Sequence, residues 1–248
     1  MTTDQRLETL KKNSVACDEV IHTACRRSNA SEGNLDALYR DNEEATRGLI
    51  AALPRPTPII YTSSLCIYGT PSASPDENTS PTPCDAYGHS KYKTEQVLRD
   101  SEHKSRILRI GALWGFGYDR YGRTFLDECL QRVKTQQPLT LLTEPAIRDH
   151  LFIWDAARWI HTMITQSIDV PLLNMAGETI ALQDKVQRLC AHAPKNYAPV
   201  INWKQGRITH ALPLLDTSLW QRLCKTHSFS LTPWSVLEQQ AWEERSAP

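Results

Sequence analysis

Short apolar runs recurring between longer amphipathic stretches constrain this chain more than any other feature of its sequence. Glu19–Ala24, Thr57–Tyr61, Arg106–Ile110, Leu139–Leu142 and Leu172–Ala176 read as strands. The first two are brief apolar runs of the kind found where a strand is covered on both faces, as in a parallel sheet. Between the runs lie segments with helical spacing. Leu35, Leu38, Ala45, Leu49 and Ile50 lay an apolar stripe along residues 34–53, which Pro54 closes. Further helices are expected over 4–13, from Tyr87 to about Ser101, and over 123–135, 180–192, 216–226 and 233–243. His150-Leu151-Phe152-Ile153 leads into another, with Asp155 as its N-cap. A loop rich in Pro, Ser and Thr covers 70–86. Strands alternating with helices give an α/β fold built on a mainly parallel sheet.

Length and charge narrow the function classes. A chain of 248 residues can bury a proper core. Its 28 Lys and Arg balance 28 Asp and Glu without a basic block, which argues against nucleic acid or an anionic membrane as partner. No apolar run approaches the ~18 residues of a membrane span. The polar opening, Met-Thr-Thr-Asp-Gln-Arg, is unlike a signal peptide. Seven cysteines, an odd number without a Cys-x-x-Cys pair, read as reduced thiols in a cytoplasmic protein. The eight histidines form no His-x-x-x-His pair, so no metal is expected.

Tyr87-Gly88-His89-Ser90-Lys91 carries the chemistry. Residues four apart share a helix face, so the Lys91 ammonium approaches the Tyr87 phenol. A nearby cation favours phenolate and lowers a tyrosine pKa from its reference of about 10, which makes Tyr87 a usable acid or base. The bare spacing is weak evidence and gains weight from its surroundings. Ser64 is placed near a strand's carboxyl end, where ligands bind in open α/β sheets, and its hydroxyl can hold a reacting oxygen.

The ordered segments together resemble the extended short-chain dehydrogenase/reductase family, the NAD-dependent epimerases and dehydratases. Cys17–Cys25 resembles its fourth strand, and Tyr39–Arg47 the following helix, whose Asn42 the resemblance puts near the cofactor. Ser63-Ser64-Leu65-Cys66-Ile67-Tyr68-Gly69 resembles the catalytic serine strand, and Tyr87 with Lys91 matches the catalytic pair. Leu108–Gly115 resembles the strand and loop beside the nicotinamide, and Arg148–Asp155 a segment whose arginine meets a substrate phosphate. The resemblance implies Ser64, Tyr87 and Lys91 as catalytic residues. It implies His22, Ala24, Asn42, Tyr87, Lys91 and Ile110 near NAD or NADP, and Ser64, Cys66, Ala112, Trp114 and Arg148 near a small substrate.

Departures from the family pattern matter as well. No Gly-x-x-Gly-x-x-Gly loop precedes the serine strand, where Gly33 and Gly48 stand alone. The chain reads as beginning just before the fourth strand, short of on the order of 60 residues, or two crossovers of about 30 each. Residues 1–140 are therefore expected to form an incomplete Rossmann-like core, and 141–248 a mixed region with the last core strand and a small substrate-binding lobe. Ala112 stands where sugar-nucleotide epimerases commonly carry Asn, which argues against a nucleotide sugar. Leu65-Cys66 replaces the acidic residues of 4,6-dehydratases, which argues against that elimination. The strand at Val20–Ala24 is left with an open edge, expected to be covered by the N-terminal helix, a second copy or another chain.

Three readings of function stay open at this level. One is an NAD(P)-dependent epimerase, dehydratase or reductase. The second is a cofactor-independent isomerase, cyclase or lyase on the same residues. The third is a non-catalytic partner subunit. Plainer roles stand beside the functional ones. Arg148 can pair with Asp149 or Glu144, His22 can be a packed strand residue, and Cys66 a buried thiol. His89 points to solvent in this reading, and Trp114 either walls a pocket or packs in the core.

Overall fold

The computed structural model describes residues 17–25, 35–53, 56–115, 125–193, 199–206 and 212–243. In chain order the elements begin with β1 (Val20–His22), α1 (Leu35–Ala52), β2 (Ile59–Ser64), a 3-10 turn (Leu65–Tyr68), α2 (Ala86–Arg99) and β3 (Ser105–Ile110). Then come β4 (Ala112–Trp114), α3 (Phe125–Lys134), β5 (Leu139–Leu142), β6 (Ile147–Phe152) and α4 (Ile153–Thr165). The chain continues with β7 (Leu172–Met175), β8 (Glu178–Ala181), α5 (Leu182–Ala191), β9 (Ile201–Lys204), α6 (Ser218–Thr226) and α7 (Trp234–Glu243). The helix expected over 4–13 lies outside the described residues.

β1, β2, β3 and β7 form one parallel sheet in that order. Parallel neighbours need a crossover, which α1 supplies from β1 to β2 and α2 from β2 to β3. The apolar runs are covered on both faces, as their composition requires. Ile59, Tyr61 and Ile107 pack on Leu98, Ile50 and Leu53. Ile60, Leu108 and Leu173 pack on the opposite side against Trp159, Met163 and Trp220. Each fully buried Ile or Leu contributes about 1.5–3 kcal/mol.

A second layer extends from the carboxyl end of β3. β4, β6 and β8 form a small mixed sheet, and β5 pairs with β9. Trp114, Phe152, Leu126, Val186 and Leu237 join this layer to α3, α5 and α7.

Several boundaries differ from expectation. The strand expected over Thr57–Tyr61 spans Ile59–Ser64 instead, which leaves Ser64 at its carboxyl end as expected. His150–Ile153 is not a lead-in; β6 spans Ile147–Phe152 and α4 starts at Ile153. Phe152, extended at φ −70° and ψ 133°, holds the N-cap position without a side-chain cap bond. Asp155 is therefore inside the first turn and does not cap the helix. Its carboxylate accepts from Thr232 N at 3.0 Å, Thr232 Oγ1 at 2.6 Å and Arg158 at 2.5 Å. These bonds tie the segment before α7 to α4. The helix expected from 180 begins at Leu182, because Glu178–Ala181 pairs with β6 as β8. β4, β8 and β9, of three or four residues each, are too short for a periodicity of their own.

Candidate active site

Ser64, Tyr87 and Lys91 come together because a strand end and a helix start are packed tightly. β2 ends at Ser64 and turns at once into the Leu65–Tyr68 3-10 turn. Ser64 caps that turn, its Oγ accepting from Cys66 N at 3.2 Å. α2 starts at Ala86, with the Asp85 carboxylate accepting from Gly88 N at 2.6 Å. That cap satisfies an amide that would otherwise face no partner. Gly88 then lies against the turn. A Cβ there would sit 2.5 Å from the Cys66 carbonyl oxygen, so only glycine permits this approach of helix to strand.

Lys91, one helical turn beyond Tyr87, is buried at 3% exposure. Its Nζ donates to the Thr62 carbonyl at 2.7 Å. The same ammonium lies 4.7 Å from the centre of the Tyr61 ring and 5.9 Å from that of Tyr87. A charge with so little water needs such neighbours. Burial first, and the Lys91 charge second, push His22 down to about 4, so this imidazole is neutral near pH 7. Tyr61 is pushed well above the ordinary phenol range, chiefly by burial.

The residues that the resemblance puts near a cofactor take the following places. His22 ends β1, with Nε2 at 2.9 Å from Thr46 Oγ1 and its ring 5.2 Å from that of Tyr61. Asn42, on α1, donates to Ser90 Oγ at 2.7 Å and so joins α1 to α2. Ala24 is exposed beyond β1, and Ile110 ends β3 in register with Ser64. The described donor set, an ammonium, a phenol and a hydroxyl at the carboxyl end of β2, suits a ligand rich in hydroxyl and carbonyl oxygen. The nicotinamide-ribose end of a dinucleotide is such a ligand.

On the substrate side, Cys66 is half-buried and His89 exposed. Ala112 and Trp114 share one face of β4, and the register puts Ala112 beside His150 of β6. Trp114 is 3% exposed and stacks on Trp234 with ring centres 4.6 Å apart, so it packs within the core of the second layer. Arg148 does not pair with Asp149. Successive strand residues point to opposite faces, and the Asp149 carboxylate accepts from Thr179 Oγ1 at 2.5 Å and Leu215 N at 2.6 Å. Burial lowers the Arg148 pKa, while the Cys66 thiol beside it acts in the other direction.

Sequence reasoning missed the floor beneath the site. Glu95 is fully buried on α2, one turn past Lys91. It accepts from Arg109 Nε at 3.1 Å and Nη2 at 2.8 Å, and from Ser63 Oγ at 2.5 Å. Arg109 Nη1 also donates to Tyr68 Oη at 2.8 Å. Burial works against the Arg109 charge, but its bonds to Glu95 outweigh it and raise the pKa. The Tyr68 hydroxyl meets Asn174 Oδ1 at 2.8 Å, and Asn174 Nδ2 reaches Pro75 O at 3.0 Å. The available signal was Glu95 four residues after Lys91, on the same helix face.

Among the described residues no group of three or more His, Cys, Asp and Glu is arranged to hold a metal ion. Likewise no helix among them is long and apolar enough to cross a membrane.

Comparison with known proteins gives the family and the fold. The chain is 40% identical over 88 residues to an N-acetyl-α-D-glucosaminyl-diphospho-ditrans,octacis-undecaprenol 4-epimerase of Escherichia coli O157:H7. That match covers 32% of this chain and 27% of the relative, so the chain spans about a quarter of its length. Its fold is similar to that of the Thermotoga maritima UDP-glucose 4-epimerase solved with UDP-glucose. The TM-score is 0.75 at 17% identity, over 97% of this chain and 80% of that one. It is also similar to a Bacillus cereus UDP-glucuronic acid 4-epimerase variant solved with a fluorinated UDP-glucuronic acid and NAD. There the TM-score is 0.74 at 20% identity, over 94% of this chain and 75% of that one. The model of the NAD dependent epimerase/dehydratase family matches residues 1–176, and the chain belongs to that family.

Proposed function

We propose that this chain carries the acid–base centre of an NAD(P)-dependent epimerase acting on a sugar linked to a diphosphate. The convergence of Ser64, Tyr87 and Lys91 at the carboxyl end of β2 carries the reading. Family membership and the substrates named for its relatives support it.

NAD(P), when bound, supplies a hydride acceptor beside the sugar carbon. Ser64 Oγ already accepts from Cys66 N, which leaves its own O–H to donate to the substrate's reacting oxygen and fix its position. Tyr87 removes the proton of the sugar hydroxyl and returns it to the same oxygen, once the hydride taken from the sugar carbon has come back to the opposite face. Lys91, anchored on the Thr62 carbonyl, stabilises the phenolate that Tyr87 becomes. Arg148, a partly desolvated cation on the face of β6 shared with Ala112, is positioned for a substrate phosphate. His22, Asn42 and Ile110 border the nicotinamide end.

The outer edge of β1 has no strand beside it among the described residues, and Ile21 is 48% exposed there. A second copy of the chain is the proposed cover for that edge. Seven cysteines, an odd number without a Cys-x-x-Cys pair, support a reducing, cytoplasmic setting.

The test is incubation of the full chain with NAD or NADP and UDP-glucose or UDP-N-acetylglucosamine, with chromatographic separation of the C4 epimers. Epimer is expected, reduced about 10²–10⁴-fold by Tyr87→Phe. No epimer with either cofactor, or product unaffected by Tyr87→Phe, overturns the reading.

A further inference from the structure

Between the small sheet and α7 lies a cavity of about 70 Å³, lined in part by Trp114, His150, Glu178, Lys185 and Trp234. A site for one water needs roughly 10–15 Å³ on this measure, so the cavity holds several non-hydrogen atoms. Two of its side chains carry buried polar atoms with no hydrogen-bond partner: His150 Nε2 and Glu178 Oε2. His150 is 5% exposed. The antiparallel register of β6 and β8 sets these two residues directly opposite each other, so their side chains stand on one face of the sheet.

Orphaned groups of this kind are costly, and in native proteins they call for an explanation. Their chemistry is complementary. Oε2 of a carboxylate only accepts, so whatever meets it must donate. The other carboxylate oxygen of Glu178 is held by Arg188 at 2.7 Å, which fixes the direction of Oε2. His150 stays neutral: burial first, then the Lys185 and Arg148 charges, push it down to about 3. A neutral imidazole offers one N–H and one lone pair. Lys185 is fixed in turn, its Nζ 3.9 Å from the Trp234 ring centre and 4.7 Å from that of Trp114.

The row leads back to the active site. Ala112, His150 and Glu178 are register neighbours across β4, β6 and β8. Ala112 stands two residues beyond Ile110, the register partner of Ser64. Strands are about 4.8 Å apart, so Glu178 lies roughly 10 Å from the Ala112 end of the row. That is within reach of a diphosphate-linked sugar held at Ser64.

We propose that His150 and Glu178 form a subsite for the vicinal hydroxyls of a sugar ring of the substrate. One hydroxyl donates to Glu178 Oε2, and the other exchanges a hydrogen bond with His150 Nε2. The subsite rests on the diphosphate-sugar reading given above. The hydroxyls can belong to the hexose or to the ribose of the nucleotide.

Calorimetric titration of the full chain, saturated with NAD, separates these cases with three probes: UDP-glucose, UDP and 2′-deoxyuridine diphosphate. His150→Phe and Glu178→Gln each remove one orphaned group while roughly keeping its shape. If the hexose occupies the subsite, both variants weaken UDP-glucose about tenfold or more and leave UDP unchanged. If the ribose occupies it, both weaken UDP-glucose and UDP alike, and the deoxy compound, which keeps the 3′ hydroxyl alone, is insensitive to one of the two variants. Unchanged affinity for all three probes, or an equal loss for all three in both variants, overturns the subsite alone. Wild-type protein that binds neither UDP nor UDP-glucose overturns the diphosphate-sugar reading, and the subsite with it.

Discussion

Arg109→Met is expected to destabilise the chain by about 3 kcal/mol. The guanidinium is 2% exposed and its partner Glu95 fully buried, with two bonds of 3.1 and 2.8 Å between them. Removing one member of a buried pair typically costs about 3–5 kcal/mol, because the remaining charge is left desolvated. Two contacts moderate the loss here. Ser63 Oγ still donates to Glu95, and Arg99 lies 3.6 Å from its other oxygen with half its side chain in water. The expected value therefore falls at the lower end of that range. Against a total stability of about 5–15 kcal/mol it is a large fraction. Urea unfolding followed by tryptophan fluorescence reads it as a lower midpoint with an unchanged slope. Replacing both partners, Arg109→Met with Glu95→Leu, should recover part of the loss, since the uncompensated charge is then gone. A single-variant cost under about 1 kcal/mol, or a double variant equal to the sum of the singles, refutes the reasoning.

Other outcomes are expected on the same grounds. Gly88→Ala puts a methyl 2.5 Å from the Cys66 carbonyl oxygen, so α2 must shift; the expected result is a ≥10²-fold drop in epimerisation from misplaced Tyr87, and an unimpaired variant contradicts it. His22 and His150 are held neutral with pKa values of about 4 and about 3, below the ordinary 6.5, so the unfolded chain binds more protons. Their stabilisation is complete above about pH 6.5 and is lost as the pH falls through that value toward about 4 for His22 and about 3 for His150. The urea midpoint should decline over this window, less steeply in His22→Asn, and a flat profile argues against it. Asp85→Ala removes the α2 cap and should cost about 1 kcal/mol in the same unfolding assay.

The sheet was legible because its strands are nearly uninterrupted apolar runs, a composition that only double-sided burial accommodates. α1 was legible from the stripe Leu35 to Ile50. The small sheet was not. Asp155 looks like a cap because an acidic residue precedes helical spacing, yet the pairing of β6 with β4 and β8 extends strand through Phe152 and starts the helix two residues earlier than Asp155. Long-range pairing decided that boundary, and no local pattern encodes it. In the site, Ser64, Tyr87 and Lys91 were readable as residue types at a spacing. The Lys91 bond to Thr62 O was not, since it depends on how closely Gly88 lets the helix approach. The orphaned atoms of His150 and Glu178 were also out of reach, because they are opposed only through the register of two strands far apart in the chain.

The polar chain that runs from Glu95 through Arg109 and Tyr68 to Asn174 implies an order of assembly. Glu95 and Ser63 meet early, across a crossover of modest length. Asn174, on β7, closes the network across a separation of 106 residues from Tyr68, and its backbone N–H donates to Glu77 Oε1 at 2.9 Å while its side-chain amide reaches Asp216 O at 3.3 Å. Contacts of such sequence separation pay their loop-closure entropy before any return. The catalytic floor should therefore solidify last, when β7 completes the sheet. A nascent or partly unfolded chain would then carry a formed β2–α2 unit with Tyr87 and Lys91 in place above a floor still soft, and so gain activity later than it gains secondary structure.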